Sequence, residues 1–207
     1  MIKKIASFVL ALTMAFSVPM STFAASPKDS EPAVSVEEYA EKYDITEDEV
    51  IHLEENLLEA KETLKNIELA PGEETVIPVS ENLNLWIETE IMPSSRATTY
   101  DRTITSTLSL KNVVGATIVT LRSVGVFRTN GTTSKPIDAY GSYNAWVWNI
   151  TNSSSSLGAA AYNARVRNSF SGELNIGIDP VSMTIQSFSY TCTIYCNAVG
   201  TYSTSWG

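Results

Sequence analysis

Tyr100-Asp-Arg-Thr-Ile-Thr-Ser-Thr-Leu-Ser-Leu110 opens the stretch that decides the fold. Tyr100, Ile104, Leu108 and Leu110 fall on one parity, and Asp101, Thr103, Thr105, Thr107 and Ser109 on the other. A period of two marks a strand with one buried and one wet face. Ala116–Arg128 follows with apolar residues on both parities: Ile118, Val124 and Val126, and Val119, Leu121 and Phe127. That pattern predicts a central strand covered on both sides. Asn130-Gly131 suits a tight hairpin turn, because both residues tolerate positive φ. A third run, Tyr143-Asn-Ala-Trp-Val-Trp148, continues to Ile150 and sets Trp146, Trp148 and Ile150 on one side.

The runs beyond it read the same way. In Ala159–Phe170, Tyr162, Ala164, Val166, Asn168 and Phe170 alternate with Asn163, Arg165 and Arg167. Thr151-Asn-Ser-Ser-Ser-Ser156 reads as a loop, and Ser171-Gly172 and Asp179-Pro180 read as turns. Met183–Ser203 is too long for one strand, and Gly200 is its expected break. Short strands separated by turn residues indicate an antiparallel β-sandwich, of jelly-roll or Ig-like kind.

Upstream, an acidic helical segment is expected. Ser35-Val-Glu-Glu38 and Thr46-Glu-Asp-Glu49 both fit a capping box. Val50, Leu53, Leu57, Ala60, Leu64 and Ile67 form a heptad-like seam on one helix over 46–67, which Ala70-Pro-Gly72 stops. The seam needs a partner, since a lone helix of this length is marginal in water. Packing on its own domain, service as an acidic pro-segment or tether over a basic surface, and a homodimeric coiled coil all satisfy that need. Thr75-Val-Ile-Pro-Val79 and Leu83–Ile91 turn strand-like, with Pro78 confined to an edge or bulge. Met92–Thr99 reads as a linker and a site for nicking.

The expected organisation is therefore a signal peptide over 1–25, an acidic helical segment over 26–71, strands and linker over 72–98, and the sandwich over 99–207. Lys3 and Lys4, the apolar run Ile5–Val18 and the small residues before Ala25 compose a secretory signal. It resembles the signals of Gram-positive bacteria. The run is shorter than the ~20 residues a spanning helix needs, so no membrane span is expected in the mature, extracellular protein.

Charge divides with these segments. The formal net charge is −9, but 26–93 carry nineteen acids against four lysines, whereas 94–207 carry four acids against eight Lys/Arg. Docking of the acidic helix on its own sandwich is one expectation from this asymmetry. An acidic pro-segment is the alternative.

The residues exclude several chemistries. His52 is the only histidine and sits among Glu49, Glu54 and Glu55, so Ser-His-Asp and Cys-His catalysis cannot be assembled from the β half. No HExxH, P-loop or GxGxxG motif is present. No cofactor or metal is expected, since two thiols without a histidine cannot close a tetrahedral site. Cys192 and Cys196 share a parity, which on a straight strand sets their Cα atoms about 13 Å apart. A disulfide requires less than about 7 Å. Two free buried thiols are therefore favoured over a bridge, although an oxidising compartment argues the other way. A carboxylate-pair glycan hydrolase would have to draw on Asp101, Asp138, Glu173 and Asp179.

What remains is a basic and aromatic surface. Arg165 and Arg167 point the same way, with Arg122, Arg128, Tyr140 and Tyr143 as further candidates for ligand contact. An anionic cell-wall polymer or glycan is the expected partner, and the basic residues are too sparse for nucleic acid. The leading expectation is a secreted, non-enzymatic binding protein. The alternatives are a toxin or bacteriocin-like effector made as a precursor, in which runs such as Thr103–Ser109 form membrane hairpins, and the glycan hydrolase.

Overall fold

In the computed structural model, which describes residues 34–93, 100–178 and 181–207, the alternation seen in the sequence becomes two five-stranded antiparallel sheets. The expected signal peptide, residues 26–33, the stretch 94–99 within the expected linker and the expected turn at Asp179-Pro180 lie outside the described residues. Three helices come first: α1 (Val36–Tyr43), α2 (Glu47–Ile51) and α3 (Leu53–Leu64). Ten strands follow: β1 (Glu68–Leu69), β2 (Glu74–Pro78), β3 (Leu83–Pro93), β4 (Tyr100–Asn112), β5 (Thr117–Thr129), β6 (Ser134–Ala145), β7 (Trp148–Leu157), β8 (Asn163–Ile178), β9 (Val181–Asn197) and β10 (Tyr202–Trp206). One sheet runs β2-β3-β4-β5-β6 and the other β1-β10-β9-β8-β7. Each is a meander, apart from the pairing of β1 with β10. Pro78 falls on the edge strand β2, where its missing N–H costs no ladder bond. The strands of 72–93 belong to the same sheet as β4–β6, since β3 pairs with β4 from Leu83↔Asn112 to Pro93↔Arg102. No helix among the described residues is long and apolar enough to cross a membrane.

The inner faces meet in a core of Leu83, Leu85, Ile87, Ile104, Leu108, Leu121 and Phe127 against Val166, Phe170, Leu174, Ile194 and Trp206. A polar layer runs through it. The Thr89 and Thr204 hydroxyls are 2.9 Å apart, Trp206 Nε1 donates to Ser106 Oγ, and Asn168 Nδ2 donates to Ser123 Oγ at 2.6 Å. Ser106 shares the inner parity of Ile104 and Leu108, so hydrogen bonding satisfies a group that alternation alone would place in oil. Such bonds fix which residues of the two sheets face each other.

The helices close one end of the sandwich. Their seam (Val50, Leu53, Leu57, Ala60 and Leu64) is buried, and Leu57 reaches Leu85, Leu108, Trp148 and Phe188. The docking is apolar and hydrogen-bonded. The ion pairs among the described residues lie within the helices (Asp48 beside His52, Glu62–Lys65) or between strands (Glu88–Lys111, Asp101–Arg128). Trp148 Nε1 donates to the buried Tyr39 hydroxyl at 3.0 Å, while Lys42 lies 3.1 Å above the Trp146 ring, tying α1 to the sheets.

Five local expectations require correction. Ser171-Gly172 is not a turn but lies inside β8, paired with Ser189 and Phe188 of β9. The helix expected over 46–67 breaks at His52, which caps α2 and starts α3 with φ −95° and ψ 7°. The run Tyr143–Ile150 is a corner rather than one strand. Val147 takes φ 56°, and the chain leaves one sheet as β6 and enters the other as β7. The serine run 151–156 is strand β7, not a loop, because pairing with β8 needs only backbone groups. At Asn130-Gly131 only the glycine has positive φ, and Asn130 Oδ1 instead accepts from the Thr132 and Thr133 amides in a four-residue connection.

Cys192 and Cys196 are free and fully buried on the inner face of β9. Burial pushes the Cys192 thiol up to about 12, with Ser123 and Ser106 opposing. Both thiols are expected to resist a thiol-specific reagent in native protein and to react at once in denaturant. A mass count showing rapid native labelling of either would contradict the burial.

Candidate functional site

The outer face of the β8-β9-β10 ladder carries the expected basic pair. Arg165 and Arg167 are exposed, alternating with buried Ala164, Val166 and Asn168. Two residues apart on one strand, their Cα atoms are about 7 Å apart. Neither makes an ion pair among the described residues. Across the ladder Arg165 pairs with Tyr195, which pairs with Ser203, and Arg167 pairs with Thr193, which pairs with Ser205. Ser205 in turn faces Glu68 of β1.

Beside this face lies a depression of about 370 Å³ lined by Lys65, Asn66, Ile67, Glu68, Asn163, Tyr195 and Ser205. Tyr195 belongs to both features, pairing with Arg165 and forming part of the wall. The other wall is the chain leaving α3. At the α3 C-terminus the Lys65 amide donates to the Lys61 carbonyl oxygen, and Glu62 is the ion-pair partner of Lys65. Among the lining residues Lys65 is the cation and Glu68 the carboxylate, and Arg165 and Arg167 stand on the adjoining strand face. A guanidinium offers five N–H donors in a planar fork that matches a carboxylate or phosphate. The arrangement can hold a polyanion along the strand face while the Tyr195 ring supplies flat apolar contact.

The other expected contact residues are elsewhere. Tyr140 and Tyr143 are half-exposed on β6, in the opposite sheet, and three positions apart they point to opposite faces. Arg122 and Arg128 also belong to that sheet, and Arg128 is held by Asp101 through bonds of 2.8 and 2.9 Å. That hydrogen bonding holds the Asp101 carboxyl below its ordinary range. Asp138, on β6, accepts from the Ala139 amide, and Glu173 is exposed on β8 in the other sheet. His52 is exposed at the α2–α3 junction, its Nδ1 2.9 Å from the Asp48 carbonyl oxygen.

No protein-family model matches this chain. No curated protein and no solved structure matches it either. The functional reading therefore rests on the residues themselves. Asn163 shares the outward parity of Arg165 and Arg167, but its meeting with Lys65 and Tyr195 exists only because the α3–β1 segment docks beside β10. The exposed parity of Arg165 and Arg167 was the one part of the site legible in advance.

Proposed function

We propose that this is an exported, non-enzymatic binding protein whose outer β8-β9-β10 face engages an anionic polymer of the cell envelope or extracellular space. The observation that carries this is the pair of exposed guanidinium groups of Arg165 and Arg167, without an ion-pair partner among the described residues, beside the Lys65–Tyr195 cleft. An unpaired cation keeps its full capacity to bind an anion, and two in register suit a repeating one. The signal-like N-terminus supports an extracellular setting.

The test uses dextran sulfate as a polyanionic probe and neutral dextran as its control. Binding is expected for dextran sulfate only, weakening as salt screens the exposed charges. The R165A/R167A double variant is expected to bind at least about tenfold more weakly. Its thermal midpoint should hold, because both side chains are exposed and surface changes rarely exceed about 0.5 kcal/mol. Tyr140→Ala should bind like the unaltered protein. Equal binding of neutral dextran, or full binding by the double variant, would overturn the proposal.

A further inference from the structure

A second cleft, separate from the basic face, lies between α3 and β9. Its volume is about 270 Å³, and it is lined by Glu54, Leu57, Leu58, Lys61 and residues 187–190. Glu54, Leu57, Leu58 and Lys61 are spaced three, four and seven apart, so one face of α3 supplies a whole wall. Leu57, Phe188 and Tyr190 form the floor, and the same three side chains roof an apolar void of about 20 Å³ inside the core, bordered also by Leu85, Leu108 and Trp148. Leu58, 58% exposed, extends the apolar wall to the rim.

One charged group at one end keeps open donors among the described residues. Lys61 Nζ donates to the Ser189 carbonyl oxygen and sits 5.4 Å from the Tyr190 ring centroid, with no carboxylate partner among the described residues. An ammonium has three N–H donors, so two stay open. Tyr190, 4% exposed, lines the same end of the cleft. At the other end Glu54 stands two helical turns away, about 10 Å along the axis, near Ser187 Oγ. An anionic head group is therefore drawn to the Lys61–Tyr190 end and repelled from the Glu54 end. An apolar cleft with a few convergent polar groups is the usual form of a small-molecule site, and this one is near the small end of the size range.

From this geometry we infer that the α3–β9 cleft binds a single-chain amphiphile with an anionic head: the head between Lys61 and Tyr190, the alkyl chain over Leu57, Leu58 and Phe188. The chain's far end lies against the floor above the core void, where further apolar contact is available.

Titration calorimetry with sodium decanoate tests this, using decyltrimethylammonium as the same tail with the opposite charge. Decanoate is expected to bind saturably below its aggregation concentration, at least about tenfold more tightly than the cationic amphiphile. Lys61→Gln should remove about that tenfold preference, and Leu58→Asn should weaken both amphiphiles alike. Leu58 is exposed, so its variant keeps the fold even if the Lys61 variant does not. The inference fails if decanoate shows no saturable binding, if the two head groups bind equally to the unaltered protein, or if Leu58→Asn binds decanoate as well as the unaltered protein does. Dextran sulfate binding by both variants should be unchanged, which separates this cleft from the basic face.

Discussion

A chain of residues 97–207 is expected not to fold by itself. This is the fragment that removal of an acidic pro-segment at Met92–Thr99 would release. Its loss of β2 and β3 leaves β4 as a bare edge, stripped of eleven paired residues. It also uncovers the inner face. Leu53, Leu57, Leu64, Leu83, Leu85 and Ile87 are all buried by at least 94%. At about 2 kcal/mol for each buried aliphatic side chain, these six account for about 12 kcal/mol, an upper figure because unfolded chains already bury some surface. That equals the whole stability of an ordinary domain, about 5–15 kcal/mol.

The measurement is circular dichroism and thermal melting of residues 97–207 beside residues 26–207. The longer chain should melt cooperatively, and the shorter should show no transition and should aggregate through the β4 edge. Co-expression with residues 26–93 should restore a soluble complex that melts as one unit. A monomeric, cooperatively melting 97–207 would favour the precursor reading over the binding module, since the helical segment would then be dispensable to the fold. The charge asymmetry that suggested a detachable segment has another account here. The buried seam faces the sandwich, while Glu37, Glu38, Glu41, Glu47, Asp48, Glu55, Glu59 and Glu62 are exposed on the outside.

Local rules recovered most of the elements, and their failures share a cause. Period-two alternation located β4 and the first half of β8 because each has one face on a common core, and β5 stood out by apolar residues on both parities. Ser35 and Thr46 marked the helix starts because a cap acts within three residues, and both side chains accept the expected amides. Gly200 marked the turn before β10 through its positive φ of 89°. The misses occur where a distant contact decides. Tyr143–Ile150 alternates well enough for a strand, but a β-branched residue with positive φ at Val147 is an outlier that only tertiary packing sustains. The helix break at His52 leaves Val50 and Leu53 both fully buried, so the seam does not reveal it. The serine run has no hydrophobic pattern to read, and its place as β7 follows from β8. At the basic face, the exposure of Arg165 and Arg167 was legible from alternation, whereas the cleft beside them needed the docked path of residues 65–68.

Neutralising Glu49 is expected to give the largest loss from any single polar substitution. Glu49 began as the third helical residue of a capping box, and its carboxylate does accept from the Thr46 amide at 2.9 Å. It also accepts from Ser80 Oγ at 2.6 Å, the Asn82 amide at 2.8 Å and Asn82 Nδ2 at 3.0 Å, which fastens α2 to the β2–β3 turn. Burial at 8% exposure pushes the carboxyl up, but the donors from Ser80, Thr46 and Asn82 together prevail and bring it from 4.5 to about 2. The folded value lies below the unfolded one. The stabilisation is therefore complete above about pH 4.5 and is lost as pH falls toward 2. A shift of that size corresponds to about 3 kcal/mol, and solvent at the lip of the turn reduces it to about 2. Glu49→Gln turns one acceptor into a donor facing donors, so urea denaturation at pH 7 should show about 2 kcal/mol lower stability. The gap between variant and unaltered protein should narrow progressively between pH 4.5 and 2, as the unaltered carboxylate takes up its proton. A gap that stays constant across that window would mean the helix is held by its apolar seam alone, and the carboxylate latch would contribute nothing.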